Sequence, residues 1–172
     1  SIGNLAFYLA QGLTTVTFAQ GLKAAPFSQG LKAVTLLQGS QLTSIGDSAF
    51  SSTGITSIEL PSSVTSIGAS AFMDATQLRS INIPNKVTSI GYGTFWNASK
   101  LTSIIIPSSV ISIGEYAFLN ASSLTLITIP ASVVGIGPNA FAGCSGLTSA
   151  TFESSTNVAR LGVTVSNVLQ NF

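Results

Sequence analysis

Five phenylalanines, Phe50, Phe72, Phe95, Phe118 and Phe141, recur at spacings of 22, 23, 23 and 23 residues. Around each the chain follows I-G-x-x-A/T-F, as in Ile67-Gly68-Ala69-Ser70-Ala71-Phe72 and Ile113-Gly114-Glu115-Tyr116-Ala117-Phe118. Self-similarity at this period marks a solenoid, in which each repeat is one supersecondary unit that buries its apolar face only against its neighbours. The repeat constrains how a surface is built and leaves open what that surface meets.

The rest of the unit keeps the same register. Proline falls at positions 61, 84, 107 and 130, closing segments of the form L-x-x-I-x-I such as Leu101-Thr102-Ser103-Ile104-Ile105-Ile106. Seven such segments start at Leu13, Leu31, Ile55, Leu78, Leu101, Leu124 and Leu147. Their first, fourth and sixth residues are mostly apolar, and the last three alternate as a half-buried strand does. Stacked as a parallel sheet about 4.8 Å apart, seven coils would extend about 30 Å. After each proline, V-T-S-I-G predicts a second short extended stretch on the opposite wall, with Val64 and Ile67 inward and Thr65 outward.

Gly46, Gly68, Gly91, Gly114 and Gly137 then supply a positive-φ or close-approach position at which the chain turns. A single helical turn is expected next. Pro138 stands where a first helical residue would, and Asp47 and Glu115 occupy the equivalent place, where an acid suits a helix N-terminus. The chain is thus an α/β repeat solenoid by expectation, with a parallel sheet on one wall and short helical turns and extended segments on the other.

This consensus resembles the BspA-like leucine-rich repeats, whose unit is approximately L-T-S-I-x-I-P-S-S-V-T-S-I-G-x-x-A-F-x-x-C-S-S. The resemblance covers residues 42–162 strongly and 1–41 in degraded form. It implies a right-handed leucine-rich-repeat coil. Where the family often has cysteine after the Phe, this chain has Ala75, Ala98 and Ala121, and only Cys144 keeps it, so the position is a tight core site with no need of sulfur chemistry.

One solenoid domain over residues 1–172 is expected. Ser1 to Phe7 matches the I-G-x-x-A-F half of a repeat, and Gln-Gly at 11–12, 20–21, 29–30 and 38–39 marks units of nine that compress one coil to 18 residues between Leu13 and Leu31. Residues 163–172 lose the pattern and are a candidate C-terminal cap. No N-terminal cap is evident, and the edge of the first strand carries no charge to guard it between Ser1 and Gln20, so an open end is expected to be covered by further chain or by another copy.

Composition excludes several functions. A net charge of +1 from 6 Lys/Arg and 5 Asp/Glu offers no basic stripe for nucleic acid or an anionic membrane surface. Mean hydropathy is high at +0.55, yet no apolar run approaches the ~18 residues of a spanning helix. With no histidine, the commonest general base and metal ligand is missing. Asp47, Glu59, Asp74, Glu115 and Glu153 occupy different repeat positions, so no catalytic pair is expected, and Cys144 has no second cysteine or histidine to work with. The chain is therefore expected to be non-enzymatic, without cofactor or metal.

A protein-contact surface is the better candidate. Met73, Trp96 and Leu119 follow the core Phe on successive coils, at a position expected to face outward. Ile105 and Leu126 replace polar residues on the strand wall, and Ile111 and Val134 replace the Thr of V-T-S-I. Exposed apolar patches mark interaction sites. Asn97-Ala98-Ser99 and Asn120-Ala121-Ser122 form two sequons one repeat apart, either stacked glycan acceptors or plain variants of the x-C-S element.

What the resemblance implies is adhesion. Such proteins are typically secreted or surface-displayed and bind host or matrix proteins or other cells. A hydroxyl-rich, weakly charged exterior equally suits a second reading, a structural subunit of a filament or surface layer formed by copies of the chain. A third, ice or polysaccharide binding by Thr columns (Thr43, Thr65, Thr88; Thr125, Thr148; Thr128, Thr151), is interrupted by Arg79, Asn82, Ile105 and Ile111.

Overall fold

A computed structural model describes residues 15–18, 30–36 and 42–153. The mid-coil start at Ser1, most of the nine-residue units and the candidate cap at 163–172 lie outside them. The described chain is a parallel-strand solenoid of about 5 turns. Each turn has three sides. A long wall carries Thr15–Phe18, Ala33–Leu36, Ser57–Glu59, Ser80–Asn82, Leu126–Ile129 and Ser149–Phe152. A short wall carries Ser44–Ile45, Ser66–Ile67, Ser89–Ile90, Ser112–Ile113 and Gly135–Ile136. A turn edge running from the repeat glycine past the phenylalanine joins short wall to long.

Strand pairing is parallel and follows the repeat: Ser57 meets Ser80, Ser89 meets Ser112, and Leu126 meets Ser149. Thr15 meets Ala33, which is the compressed coil. Alternation decides the facing, since Ile58 and Ile81 are buried between exposed neighbours, as period-2 geometry requires. The prolines close the corner: Val64, Val87, Val110 and Val133 donate to the carbonyls of Pro61, Pro84, Pro107 and Pro130 at 3.0–3.1 Å. Ser63, Ser109 and Ser132 then send their hydroxyls to the preceding coil's Leu42, Val87 and Val110 carbonyls.

The expected helical turn is not there. Among the described residues the segment after each glycine is a run of turns, and its hydrogen bonding shows why. The amides of Ala49, Ser51 and Thr53 bond back three residues, to Gly46, Ser48 and Phe50. Those of Ser48, Phe50 and Ser52 cross instead to Ala69, Ala71 and Met73 of the next coil, at 2.7–2.9 Å. A helix needs every consecutive amide for its own turn, and here every second one belongs to the neighbour. Left-handed residues interrupt each turn twice, at Ser48 and Ser52, Ser70 and Asp74, Gly93 and Asn97, Tyr116 and Asn120, and Asn139 and Gly143.

Gly68, Gly114 and Gly137 therefore serve close approach, while Gly91 has room for a methyl. A methyl at Gly68 would meet Asp47 and Gly46 backbone atoms at 2.5–2.6 Å, and one at Gly114 would meet Gly91 at 2.7 Å. Positive φ falls two residues later, where a side chain is usually present.

The sheet on the long wall has a weak point that the repeat does not predict. Leu101 to Ile106 forms no strand, and only Ile105 bridges to Asn82. Amide bonds across this coil stretch to 3.2 Å (Thr102 to Arg79) and 3.4 Å (Thr125 to Thr102), against 2.8 and 2.9 Å on either side (Arg79 to Thr56, Thr148 to Thr125).

The core is one continuous column. Phe50, Phe72, Phe95, Phe118 and Phe141 stack with centroids 5.2–5.6 Å apart and planes within 17°. Leu, Ile and Val from both walls close around them. Phe118→Ala should lower the unfolding free energy by about 3–5 kcal/mol, because its two ring neighbours are held by backbone ladders and cannot collapse into the space. Urea unfolding measures this, and an unchanged midpoint would remove Phe118 from the core.

Candidate contact surface and family

The turn edge carries a second ladder, outside the phenylalanines. Asp74, Asn97 and Asn120 share a column and all adopt φ of 55–58°. Asn97 Nδ2 donates to Asp74 Oδ1 at 2.8 Å, and Asn120 Nδ2 donates to Asn97 Oδ1 at 3.0 Å. Asn and Asp tolerate the left-handed region better than other side-chain-bearing residues, so the backbone selects them here. That explains both sequons without reference to a glycan.

The expected ridge of Met73, Trp96 and Leu119 sits half-buried. The apolar residues of the two walls stand further out: Ile105 is 82% exposed, Leu126 54%, Ile111 52% and Val134 56%. Ile105 and Leu126 lie on the long wall, on adjacent coils. Ile111 and Val134 are direct neighbours on the short wall, the Val134 amide donating to the Ile111 carbonyl at 2.9 Å. Ile105 also ends a shallow groove of about 550 Å³ along the long wall, shared with Glu59, Asn82, Pro84 and Lys86. In its floor Asn82 takes the Leu60 amide on Oδ1 and returns Nδ2 to the Leu60 carbonyl, at 2.8 and 3.1 Å.

Sequence reasoning missed two features. From Leu101 to Phe152 the only charged residue is Glu115, whereas residues 42–100 carry Asp47, Glu59, Asp74, Arg79, Lys86 and Lys100. All four exposed wall residues belong to this neutral stretch. The second is aromatic: Tyr92, 46% exposed, and Trp96 both meet Tyr116 of the next coil, at 5.6 and 5.5 Å. Comparing columns would have found it, since Tyr92 and Tyr116 stand where other coils have Ala69 or Pro138 and Ser70 or Gly93.

Several Thr hydroxyls are tied to the preceding coil. Thr65 Oγ1 donates to the Thr43 carbonyl, and Thr102, Thr125 and Thr148 donate to Arg79, Thr102 and Thr125. Among the described residues no three of His, Cys, Asp and Glu gather as a metal site. Cys144 fills the column of Ala75, Ala98 and Ala121 and is fully buried, its thiol donating to the Phe118 carbonyl. The same column holds buried Thr53, whose hydroxyl likewise finds a carbonyl, that of Phe50.

The family follows from this register of glycine, phenylalanine and small residue. The model of the BspA-type leucine-rich-repeat region matches residues 43–163 in 6 copies. The chain belongs to that family. Among solved structures it is similar to a leucine-rich-repeat protein of T. pallidum, with 25% identity over 72% of this chain and 70% of that one and a TM-score of 0.59. It is also similar to a leucine-rich cell surface protein of Faecalibacterium prausnitzii, with 23% identity over 91% and 64% and a TM-score of 0.58. A leucine-rich-repeat protein of Bacteroides ovatus shares 19% identity over 88% and 58%, with a TM-score of 0.51. The chain thus spans under two thirds of the latter two. No curated protein matches it. Among the described residues no helix is long and apolar enough to cross a membrane.

Burial pushes the Cys144 thiol from its ordinary 9.0 up to about 11, partly offset by a hydrogen bond at the Ala121 backbone. Between about pH 9 and 11 the unfolded chain releases a proton that the folded chain keeps, so stability should fall as pH rises through that window. Cys144→Ala, which copies its column, should flatten that dependence. At neutral pH native Cys144 should resist iodoacetamide and react only after unfolding, and labelling of the native protein would overturn its placement.

Proposed function

We propose that this chain is a protein-binding repeat module working outside the cell or on its surface, in the manner of an adhesin. Its contact surface is centred on the long wall at Ile105 and Leu126. The observation that carries the proposal is Ile105, 82% exposed beside a groove, on a stretch of about two coils with one charge. An isoleucine so placed gains most of its transfer free energy only when something covers it, on the order of 1.5–3 kcal/mol for full burial. Beyond Glu59 and Lys86 of the groove, the surroundings toward Leu126 are uncharged and hydroxyl-rich, which lowers the desolvation that a partner must overcome. The F. prausnitzii neighbour is named a cell surface protein, and the proposed location agrees with that name.

A second reading is favoured by Ile111 and Val134. They give the same two coils an apolar patch on the opposite wall, and two unlike patches on opposite sides of one molecule generate open assemblies when they meet. In that case the partner is another copy and the module is a filament or layer subunit. Asn97 and Asn120 have a structural use in either reading, because the side-chain amide of each donates one hydrogen to the ladder.

A photo-crosslinking residue at position 105 or 126 tests this, with position 57, exposed in the same column as Leu126, as control. Crosslinks from 105 and 126 to a surface or matrix protein, and none from 57, are expected. Crosslinks to the chain itself, with sedimentation that depends on concentration and is abolished by Val134→Asp, would replace the adhesin with the structural subunit. Equal yield from all three positions would remove the long wall as a specific surface.

A further inference from the structure

All the tyrosine and tryptophan among the described residues meets at one point of the turn edge. Tyr92 and Tyr116 stand edge to face, centroids 5.6 Å apart and planes at 85°, which forms a right-angled corner. Trp96 closes its other side, 5.5 Å from Tyr116 and tilted by 40°. Gly93, the neighbour of Tyr116 in its column, has no side chain; a Cβ there would meet Ser70 Oγ at 3.2 Å and the Trp96 ring at 3.5 Å. The contact has a cost: Tyr116 holds φ of 57°, a conformation that a bulky residue rarely adopts, where other coils place Ser48, Ser70, Gly93 or Asn139. The cluster is not needed for the core, which is complete without it.

We infer that this edge is a docking site for a proline-rich segment of another protein, held in the polyproline II conformation beside one basic residue. Three observations select that occupant. Prolines in this conformation dock against aromatic faces, and their carbonyls, unpaired within the ligand, call for donors of the kind that Tyr hydroxyls and the Trp N–H provide. The geometry repeats in step: polyproline II returns to the same face every three residues, about 9.3 Å, and two coils of a parallel solenoid advance about 9.6 Å. Tyr92 and Pro138 are two coils apart in one column, so a ligand lying along the solenoid axis meets both with the same face. Between them in that column stands Glu115, the only charge from Leu101 to Phe152, which gives a lysine or arginine of the ligand its counter-charge. Glu115 also raises the Tyr116 pKa from its ordinary 10.0, chiefly by accepting the phenol's hydrogen, so the donors left for the ligand's carbonyls are the Tyr92 hydroxyl and the Trp96 N–H.

The site lies on the turn edge and is independent of the long wall, so it survives or fails separately from the contact surface proposed there. Trp96 is the chain's one tryptophan, so its fluorescence reports on this edge alone. The chain is titrated with a decaproline carrying a central arginine, a Gly/Ser peptide with the same arginine, all-proline peptide, and a neutral oligosaccharide, cellohexaose. A saturable change with the arginine-decaproline is expected, about tenfold weaker for all-proline peptide and absent for the Gly/Ser peptide. Tyr116→Asn, which keeps a residue suited to left-handed φ, should weaken binding at least tenfold. Glu115→Gln should remove the preference for the arginine and leave all-proline binding as it was. No saturable change, equal response to the Gly/Ser peptide, or binding of cellohexaose alone would each overturn the assignment, the last in favour of a saccharide site. Ile105→Asp should not alter this titration, whatever it does to crosslinking on the long wall.

Discussion

Every second amide of the turn edge is given to the next coil, and the remaining order follows from that division. Because Ser48, Phe50 and Ser52 cross to Ala69, Ala71 and Met73 while the amides between them bond back locally, the edge can be neither helix nor free strand. It is a zigzag whose spacing is fixed by the neighbouring coil. That constraint sets each phenylalanine over the last at 5.2–5.6 Å, close to parallel, in the range of an offset stack. It also forces a left-handed residue twice per turn. Asn, Asp, Ser and Gly collect at those positions, and the Asp74, Asn97 and Asn120 ladder is a by-product of where the backbone places them.

How much of this was legible in the sequence depended on whether a residue answers to its own coil or to its neighbours. The apolar alternation of Ile58, Ile81 and Ile127 is local, and their burial follows from period alone. The proline corners and the small-residue column at Ala75, Ala98, Ala121 and Cys144 are equally local. The sequence predicts a helical turn because Pro138, Asp47 and Glu115 are all good first residues of a helix, and nothing in one repeat shows that alternate amides are taken by the next. Glycine was half-legible for the same reason. Gly68 and Gly114 are required by the backbone of the preceding coil, while positive φ went to residues that have side chains.

The contact surface follows the same division. Ile105, Ile111, Leu126 and Val134 stand out as departures from their own columns, and their exposure comes from the wall they occupy. Trp96 departs in the same manner yet lies half-buried, because its surroundings are set by Tyr116 of the next coil and by the missing side chain of Gly93. Comparing columns picks out Tyr92 and Tyr116 as departures, but that they meet each other and Trp96 is visible only between coils. Charge is the opposite case. The neutrality of residues 101–152 needs no structure to be seen, and acquires meaning only once the exposed apolar residues are found on both walls of that stretch.

A solenoid of this kind separates stability from recognition with unusual clarity. The phenylalanine column, the corners and the amide ladder take the same residues in coil after coil, so a departure from the consensus at an outward position changes the core little. Tyr116 is the informative exception, because its left-handed backbone costs on the order of 1–2 kcal/mol for a residue other than glycine. Glycine or asparagine in that column would bear less strain and serve the ladder as well, as Gly93 and Asn139 do. The ladder therefore gives no reason for tyrosine there. What the ring gains is contact with Tyr92 and Trp96, an aromatic corner outside the core, and such strain is typical of sites shaped for a ligand rather than for folding.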